Sequence, residues 1–245
     1  MRTLKLTIAY DGTAYNGFQR QINGLGIQQV LEDALTELLQ EKIVLTASGR
    51  TDAGVHAVGQ VVSFTTKATI PAGNIPLAIK YLLPEDIVVV KGEEASPGFN
   101  ARYAAHTKTY VYRIFLTKLP DPCKRHYAWQ LHYELDLAAM QEAADYLVGT
   151  HDFSAFRNVG SKQVSPVRTI TQAQWQRTGK NELVFTITGD GFLYRMVRNI
   201  VGLLVKVGRK QVTPEAFAQI MASKERKLVG MAAPAQGLYL LQVQY

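Results

Sequence analysis

Residues 27–66 read IQQVLEDALTELLQEKIVLTASGRTDAGVHAVGQVVSFTT. Ile27, Val30, Leu31, Leu35, Leu38 and Leu39 recur at helical spacing, which predicts an amphipathic helix over 27–39. Ile43–Ala47 reads as a short strand, and Gly59–Thr66 as a second one after the turn SGRTDAGVH. Upstream, Thr3–Tyr10 alternates apolar and polar residues like a strand, and residues 11–25, rich in Gly, Asn and Gln, read as loop. Downstream, Asn74–Leu82 reads as a helix stopped by Pro84, and Ile87–Val90 as a buried strand. The resulting order is β-α-β-β-α-β.

The second half repeats that order with one extra helix. Thr109–Leu116 alternates like a strand, and Asp136 caps a helix predicted to run to Val148 and end at Gly149. Val167–Arg177 and Leu183–Thr188 flank Gly179-Lys180-Asn181, a hairpin signal. Leu193–Val207 is a long helical stretch, Thr213-Pro214 starts another helix, and Leu238–Tyr245 is a last strand. Two such units in succession predict an α/β (α+β) fold of two ferredoxin-like halves. Their sheets would be mostly antiparallel, with helices on one face and a central active-site cleft. Pro97-Gly98 sets the boundary, giving an N-terminal domain 1–100 and a C-terminal domain 101–245. The repetition is one of topology; no residue-level repeat is visible.

Of the 245 residues, 47% are hydrophobic and 19% charged, which excludes a disordered chain. A single cysteine, Cys123, excludes a disulfide framework and any cysteine-based metal site. No stretch approaches the roughly 18 apolar residues of a membrane helix, and the start MRTLKLTIAYDGT lacks a secretory pattern, so a cytoplasmic protein is expected. The formal net charge is +7. Residues 1–100 hold 8 Lys/Arg against 10 Asp/Glu, whereas 101–245 hold 19 against 10. A basic second half suits a polyanionic partner, and ordinary solvated charge accounts for it equally well.

Three segments can carry chemistry. In Ser48–His56, Arg50 and Asp52 lie two apart and could pair in an extended stretch, a cation that would keep the carboxylate ionised. Asp52 is then a candidate nucleophile; the plain alternative is an aspartate hydrogen-bonded to its own turn. In Lys108–Arg113, Tyr110 and Tyr112 share one strand face and could stack on an extruded base, or simply fill a core. In Gly191–Gly202, Met196 and Ile200 continue into an apolar stripe with Leu203 and Val207, while Arg195, Arg198, Asn199 and Gly202 fall on another side. That side could hold phosphates or face solvent. The five histidines (56, 106, 126, 132 and 151) show no compact ligand spacing, and neither a P-loop, a dinucleotide fingerprint nor a zinc deaminase signature is present.

These segments resemble the tRNA pseudouridine synthase A family. Gly49–His56 resembles the family's segment carrying the aspartate common to pseudouridine synthases. Tyr10-Asp11-Gly12-Thr13 with Gly17-Phe18-Gln19 resembles its N-terminal loop. Phe99-Asn100-Ala101-Arg102 with Lys108-Thr109-Tyr110 resembles its central segment. Phe192-Leu193, Met196-Val197-Arg198 and Val201-Gly202 resemble its C-terminal helix, and Ala233-Pro234-Ala235 with Gly237–Leu240 its closing strand. One departure is Val111, where many members carry arginine.

The resemblance implies an isomerase acting as a homodimer, without cofactor or metal. Its substrate would be uridines at positions 38, 39 and 40 of the tRNA anticodon stem-loop. Asp52 would be the nucleophile and Tyr110 would pack against the target uracil. Arg50 would pair with Asp52 or hold the flipped nucleotide, Arg198 would orient Asp52, and Leu240 would line the apolar side of the pocket. The reaction breaks the C1′–N1 bond, turns the base and joins C5 to C1′, with the C5 proton lost to Tyr110 or Asp52. Flipping the base costs a few kcal/mol, which phosphate contacts would offset. The basic half offers Arg157, Lys162, Arg168, Arg195, Arg209 and Lys210 for these contacts. A non-catalytic RNA-binding module and a hydrolase using Asp52 with a second carboxylate are the competing readings.

Overall fold

The computed structural model describes residues 1–158, 160 and 165–245. The chain divides into two compact units, Met1–His106 with Tyr239–Tyr245, and Thr107–Leu238. The sequence reading draws the division at 100/101 and assigns the last strand to the second half. In the structure that strand, from Tyr239 onward, joins the first unit.

The first unit begins with β1 (Arg2–Tyr10) and α1 (Ile27–Leu39). It continues with β2 (Thr46–Ala47), β3 (His56–Thr66), α2 (Ile75–Ile79) and β4 (Ile87–Ala95). Strand β1 lies antiparallel between β3 and β4, with Leu4 opposite Phe64 and Ile8 opposite Val89. Leu4, Leu6, Ile8 and Tyr10 are buried while Lys5, Thr7 and Ala9 are more open, the period of two that the sequence shows. The helix expected over 74–82 is shorter: a 3-10 turn at Ala72–Asn74 leads into α2, with Pro76 in its first turn where no hydrogen bond is lost. The expected buried strand 87–90 is instead a longer edge strand. Ile87 and Val89 point into the core, and Val88 and Val90 are 52% and 56% exposed. An outermost antiparallel strand covers one face only, so a run of valines does not imply burial on both sides.

The second unit holds β5 (Thr107–Leu116), β6 (Trp129–Leu131), α3 (Leu137–Asp145) and β7 (Gly149–Asp152). These lead to β8 (Val167–Arg177), β9 (Glu182–Gly189), α4 (Met196–Gly208), α5 (Pro214–Ser223) and α6 (Arg226–Val229). Strands β5, β9, β8 and β7 pair antiparallel in that order, and β6 adds to β5 in parallel. Asp136 caps α3 by accepting the Ala139 N–H at 3.1 Å, and Thr213 caps α5 by accepting that of Ala216 at 3.2 Å. Strands β6 and β7 escape the sequence reading because three and four residues carry no measurable alternation. Helix α4 corrects a reading. It is buried nearly all round, Asn199 and Gly202 included, and Arg195 stands before it with φ 60 rather than on its face. A core helix flanked by α3, α5 and α6 has no wide polar side to solvate.

The final strand, β10 (Leu238–Gln244), pairs in parallel with β3, Tyr239 beside His56 and Leu240 beside Ala57.

Candidate active site

In the first unit, the segment 48–56 is fixed at both ends by buried polar groups. The Ser48 N–H donates to Val61 O at 2.8 Å. The Ser48 hydroxyl donates to Gln60 Oε1 at 2.6 Å, and the Gln60 amide nitrogen donates to Gly49 O at 3.0 Å. Ser48 and Gln60 are 1% and 0% exposed, so these partners are obligatory. The Thr51 and Tyr10 hydroxyls meet at 2.7 Å. Burial pushes the Tyr10 phenol up to about 12 against the opposing effect of that bond, so it stays protonated at neutral pH.

Asp52 then opens a tight turn closed by the Val55 N–H on Asp52 O at 3.2 Å, with Gly54 in the left-handed region at φ 76. The Asp52 side chain stands half-buried on this turn, and Arg50 is exposed before it.

Loop 11–18 lies directly against this turn. The Phe18 N–H donates to Thr51 O at 3.1 Å. At Gly17, φ 90, an added Cβ would sit 2.6 Å from Thr51 O and 3.1 Å from both Ala53 N and the Asp52 carbonyl carbon. A Cβ at Gly12 would overlap the Val55 carbonyl. Both glycines are therefore required by contact with the backbone of the aspartate's turn, from Thr51 to Val55. The same loop starts α1, whose Ile27 and Gln28 N–H groups donate to Gly17 O at 3.2 Å and Phe18 O at 2.8 Å. Its other end is tied by the Tyr15 hydroxyl on Asp86 Oδ1 at 2.5 Å. Leu240, fully buried, closes this side from β10.

In the second unit, Tyr110 on β5 is 8% exposed and meets the Phe192 ring edge-to-face at 5.0 Å. Tyr112, on the same face, is fully buried and donates to Pro234 O at 2.8 Å. Burial drives its phenol well above 10, with the Arg198 charge pulling the other way. Arg198 lies in the first turn of α4, where its Nε donates to Ala233 O at 2.8 Å and its carbonyl accepts the Ala233 N–H at 2.9 Å. A half-buried guanidinium anchored at one nitrogen keeps its direction.

The basic candidates divide by position. Arg157, Arg168 and Arg195 gather near the start of α4. The Asn158 N–H donates to Tyr194 O at 3.1 Å, Arg195 lies 5.3 Å from the Tyr194 ring, and a Cβ added at Gly191 would lie 3.3 Å from Arg168 Nε. Arg209 and Lys210 stand at the far end of the helix, about 20 Å away at 1.5 Å per residue. There Arg209 covers the Tyr133 ring at 4.4 Å and Lys210 lies 3.7 Å from Asp136 Oδ2. Lys162 lies outside the described residues.

The sequence reading missed a buried polar node. The Asn199 amide nitrogen donates to Phe156 O at 2.7 Å and Asn158 Oδ1 at 2.8 Å, and its oxygen accepts from Arg226 at 2.8 Å. Burial and the nearby Arg195 charge lower the Arg226 pKa. The only sequence signal was a polar residue inside an apolar helix. Among the described residues no cluster of three or more His, Cys, Asp or Glu could hold a metal, and no helix is long and apolar enough to cross a membrane.

A carboxylate held on a rigid turn, in a chain with a basic second half, has the parts for nucleophilic work on a nucleic acid. The sequence model of a family described as tRNA pseudouridine synthase matches residues 6–104 and 143–245. The chain is 45% identical over 245 residues to the tRNA pseudouridine synthase A of Acetivibrio thermocellus, covering 100% of both. It is 44% identical to the enzyme of that name from Bacillus subtilis, covering 99% of this chain and 98% of the relative. A solved H/ACA ribonucleoprotein bound to a substrate RNA containing 2′-deoxyuridine aligns at 13% identity and TM-score 0.39, over 82% of this chain and 44% of that one. The chain belongs to the tRNA pseudouridine synthase family, isomerases that convert uridine in tRNA to pseudouridine.

Proposed function

We propose that this chain isomerises uridines 38, 39 and 40 of the tRNA anticodon stem-loop, with Asp52 as nucleophile. The observation that carries the assignment is the Asp52 turn, whose backbone is braced by Gly12, Gly17 and Phe18, which fixes the point from which the carboxylate projects. The reaction gains and loses no atoms overall: C1′–N1 breaks, C1′–C5 forms, and the proton from C5 is replaced by one on the freed N1. It draws on no oxidant or metal. Tyr110, Arg50, Arg198 and Leu240 are the proposed contacts to the flipped nucleotide. Arg157, Arg168 and Arg195 are the proposed phosphate contacts near the start of α4, with Arg209 and Lys210 meeting a separate stretch of backbone. The chain is proposed to work as a cytoplasmic homodimer.

The test incubates the protein with tRNA labelled with tritium at C5 of uridine, and measures tritium release and pseudouridine content. Wild-type protein releases label and forms pseudouridine at the three positions, whereas Asp52→Ala binds tRNA and does neither. Label-free tRNA after incubation with wild type but unchanged release by Asp52→Ala would overturn the role of Asp52. An abasic product would point to hydrolysis, and binding without any product to a non-catalytic module.

A further inference from the structure

His56 is 2% exposed, ends the Asp52 segment, and has no part in the chemistry above. Two elements meet on its ring, and its own segment joins it to the Asp52 turn. From loop 11–18, the Gly12 N–H points at Nδ1 across 3.1 Å. A backbone N–H can only donate, so in this bond Nδ1 is the acceptor. Asp11 Oδ1, 3.1 Å from the same nitrogen, takes the Thr13 N–H at 2.9 Å and the Thr13 hydroxyl at 2.6 Å. It is a second polar neighbour of the same ring nitrogen. From β10, Tyr239 stacks on the imidazole with centroids 4.7 Å apart and planes at 24°, one residue before Leu240. From the nucleophile segment itself, Val55 precedes His56 and closes the Asp52 turn while its carbonyl abuts Gly12.

We propose that His56 is a positioning residue. Through its Nδ1 hydrogen bond to Gly12 and its stack on Tyr239, it sets the placement of the Asp52 carboxylate relative to the loop 11–18 and the Leu240 strand. A plain core histidine would be replaceable by any side chain that fills its volume. A positioning acceptor is replaceable only by a group with a lone pair at the Nδ1 site. Asparagine places its amide oxygen there, glutamine carries its amide to the position of Nε2 instead, and leucine fills space without an acceptor.

This inference rests on Asp52 being the nucleophile, and the experiment separates the two. Single-turnover pseudouridine formation, steady-state kcat and KM for tRNA, tRNA Kd and Tm are measured for wild type, His56→Asn, His56→Gln and His56→Leu, with Asp52→Ala alongside. The expected result is a loss in kcat of about 10²-fold for His56→Leu, the scale of an ångström-level misplacement, with KM and Kd unchanged. His56→Asn recovers most of that loss and His56→Gln does not. Equal kcat for the Asn, Gln and Leu variants, or a loss confined to KM, would overturn the proposal. Should His56→Leu fail to fold, the Asn-against-Gln comparison decides alone. A wild-type enzyme that makes pseudouridine, with Asp52→Ala inactive and His56→Leu fully active, refutes only the positioning role. Activity surviving in Asp52→Ala refutes the reading beneath it.

Discussion

Gly17→Ala tests whether the Asp52 turn is held by its neighbour loop or merely lies near it. The new methyl carbon would start 2.6 Å from Thr51 O, where ordinary contact begins near 3.4 Å, so the carbonyl or the loop must retreat by roughly 0.8 Å. The backbone at Gly17 also has φ 90, a conformation that costs an L-residue about 1–3 kcal/mol. At 2–4 °C per kcal/mol for a chain of this size, Tm falls by roughly 2–12 °C, leaving the variant folded at 25 °C. The displacement is transmitted to the residue after Thr51, which is Asp52. Moving a reacting group by close to an ångström costs about 10²-fold in rate. The assay is single-turnover pseudouridine formation at 25 °C, with circular dichroism to establish the folded fraction. The expected outcome is a folded variant that binds tRNA normally and turns over about a hundredfold more slowly. A folded Gly17→Ala enzyme with wild-type turnover would refute the claim that this contact positions the nucleophile.

Three further outcomes follow from other parts of the structure. Arg157→Ala and Arg195→Ala each weaken tRNA binding and flatten the slope of log affinity against log salt by about 0.7–0.9 per lost phosphate contact, measured by filter binding at several salt concentrations. Tyr10 is neutral below pH 10 in both folded and unfolded chains, and its folded value near 12 resists ionisation, so its contribution to stability is lost as pH rises from 10 through 12. Tyr10→Phe makes the alkaline fall in Tm shallower, and a steeper or unchanged fall would contradict the assignment. Asp136→Ala removes the cap on Ala139 N, costing about 0.5–2 kcal/mol of stability by denaturant titration, with kcat unchanged.

Much of the fold was legible from local pattern. The limits of α1 and β8, the caps at Asp136 and Thr213, and the alternation of β1 and β5 are all written in residues two to four apart. The aspartate segment was legible because its glycines bracket an otherwise polar run. The role of those glycines was not. Gly12 and Gly17 carry no side chain to form a pattern, and what makes them necessary is the Thr51–Val55 backbone pressed against them.

By itself, the sequence determined the order of the longer elements, the segment that carries the candidate aspartate and the uneven charge of the two halves. Each is a property of neighbouring residues or of composition, and survives without knowing what lies beside them. Tertiary structure decided that the last strand pairs with β3, that α4 is buried on the side read as polar, and that Arg209 and Lys210 stand a helix length from Arg195. It also decided that the His56 ring lies between loop 11–18 and β10. Hydrogen-bond partners and close approaches join residues far apart in the chain, and periodicity reports which face a residue points to, never what will cover it.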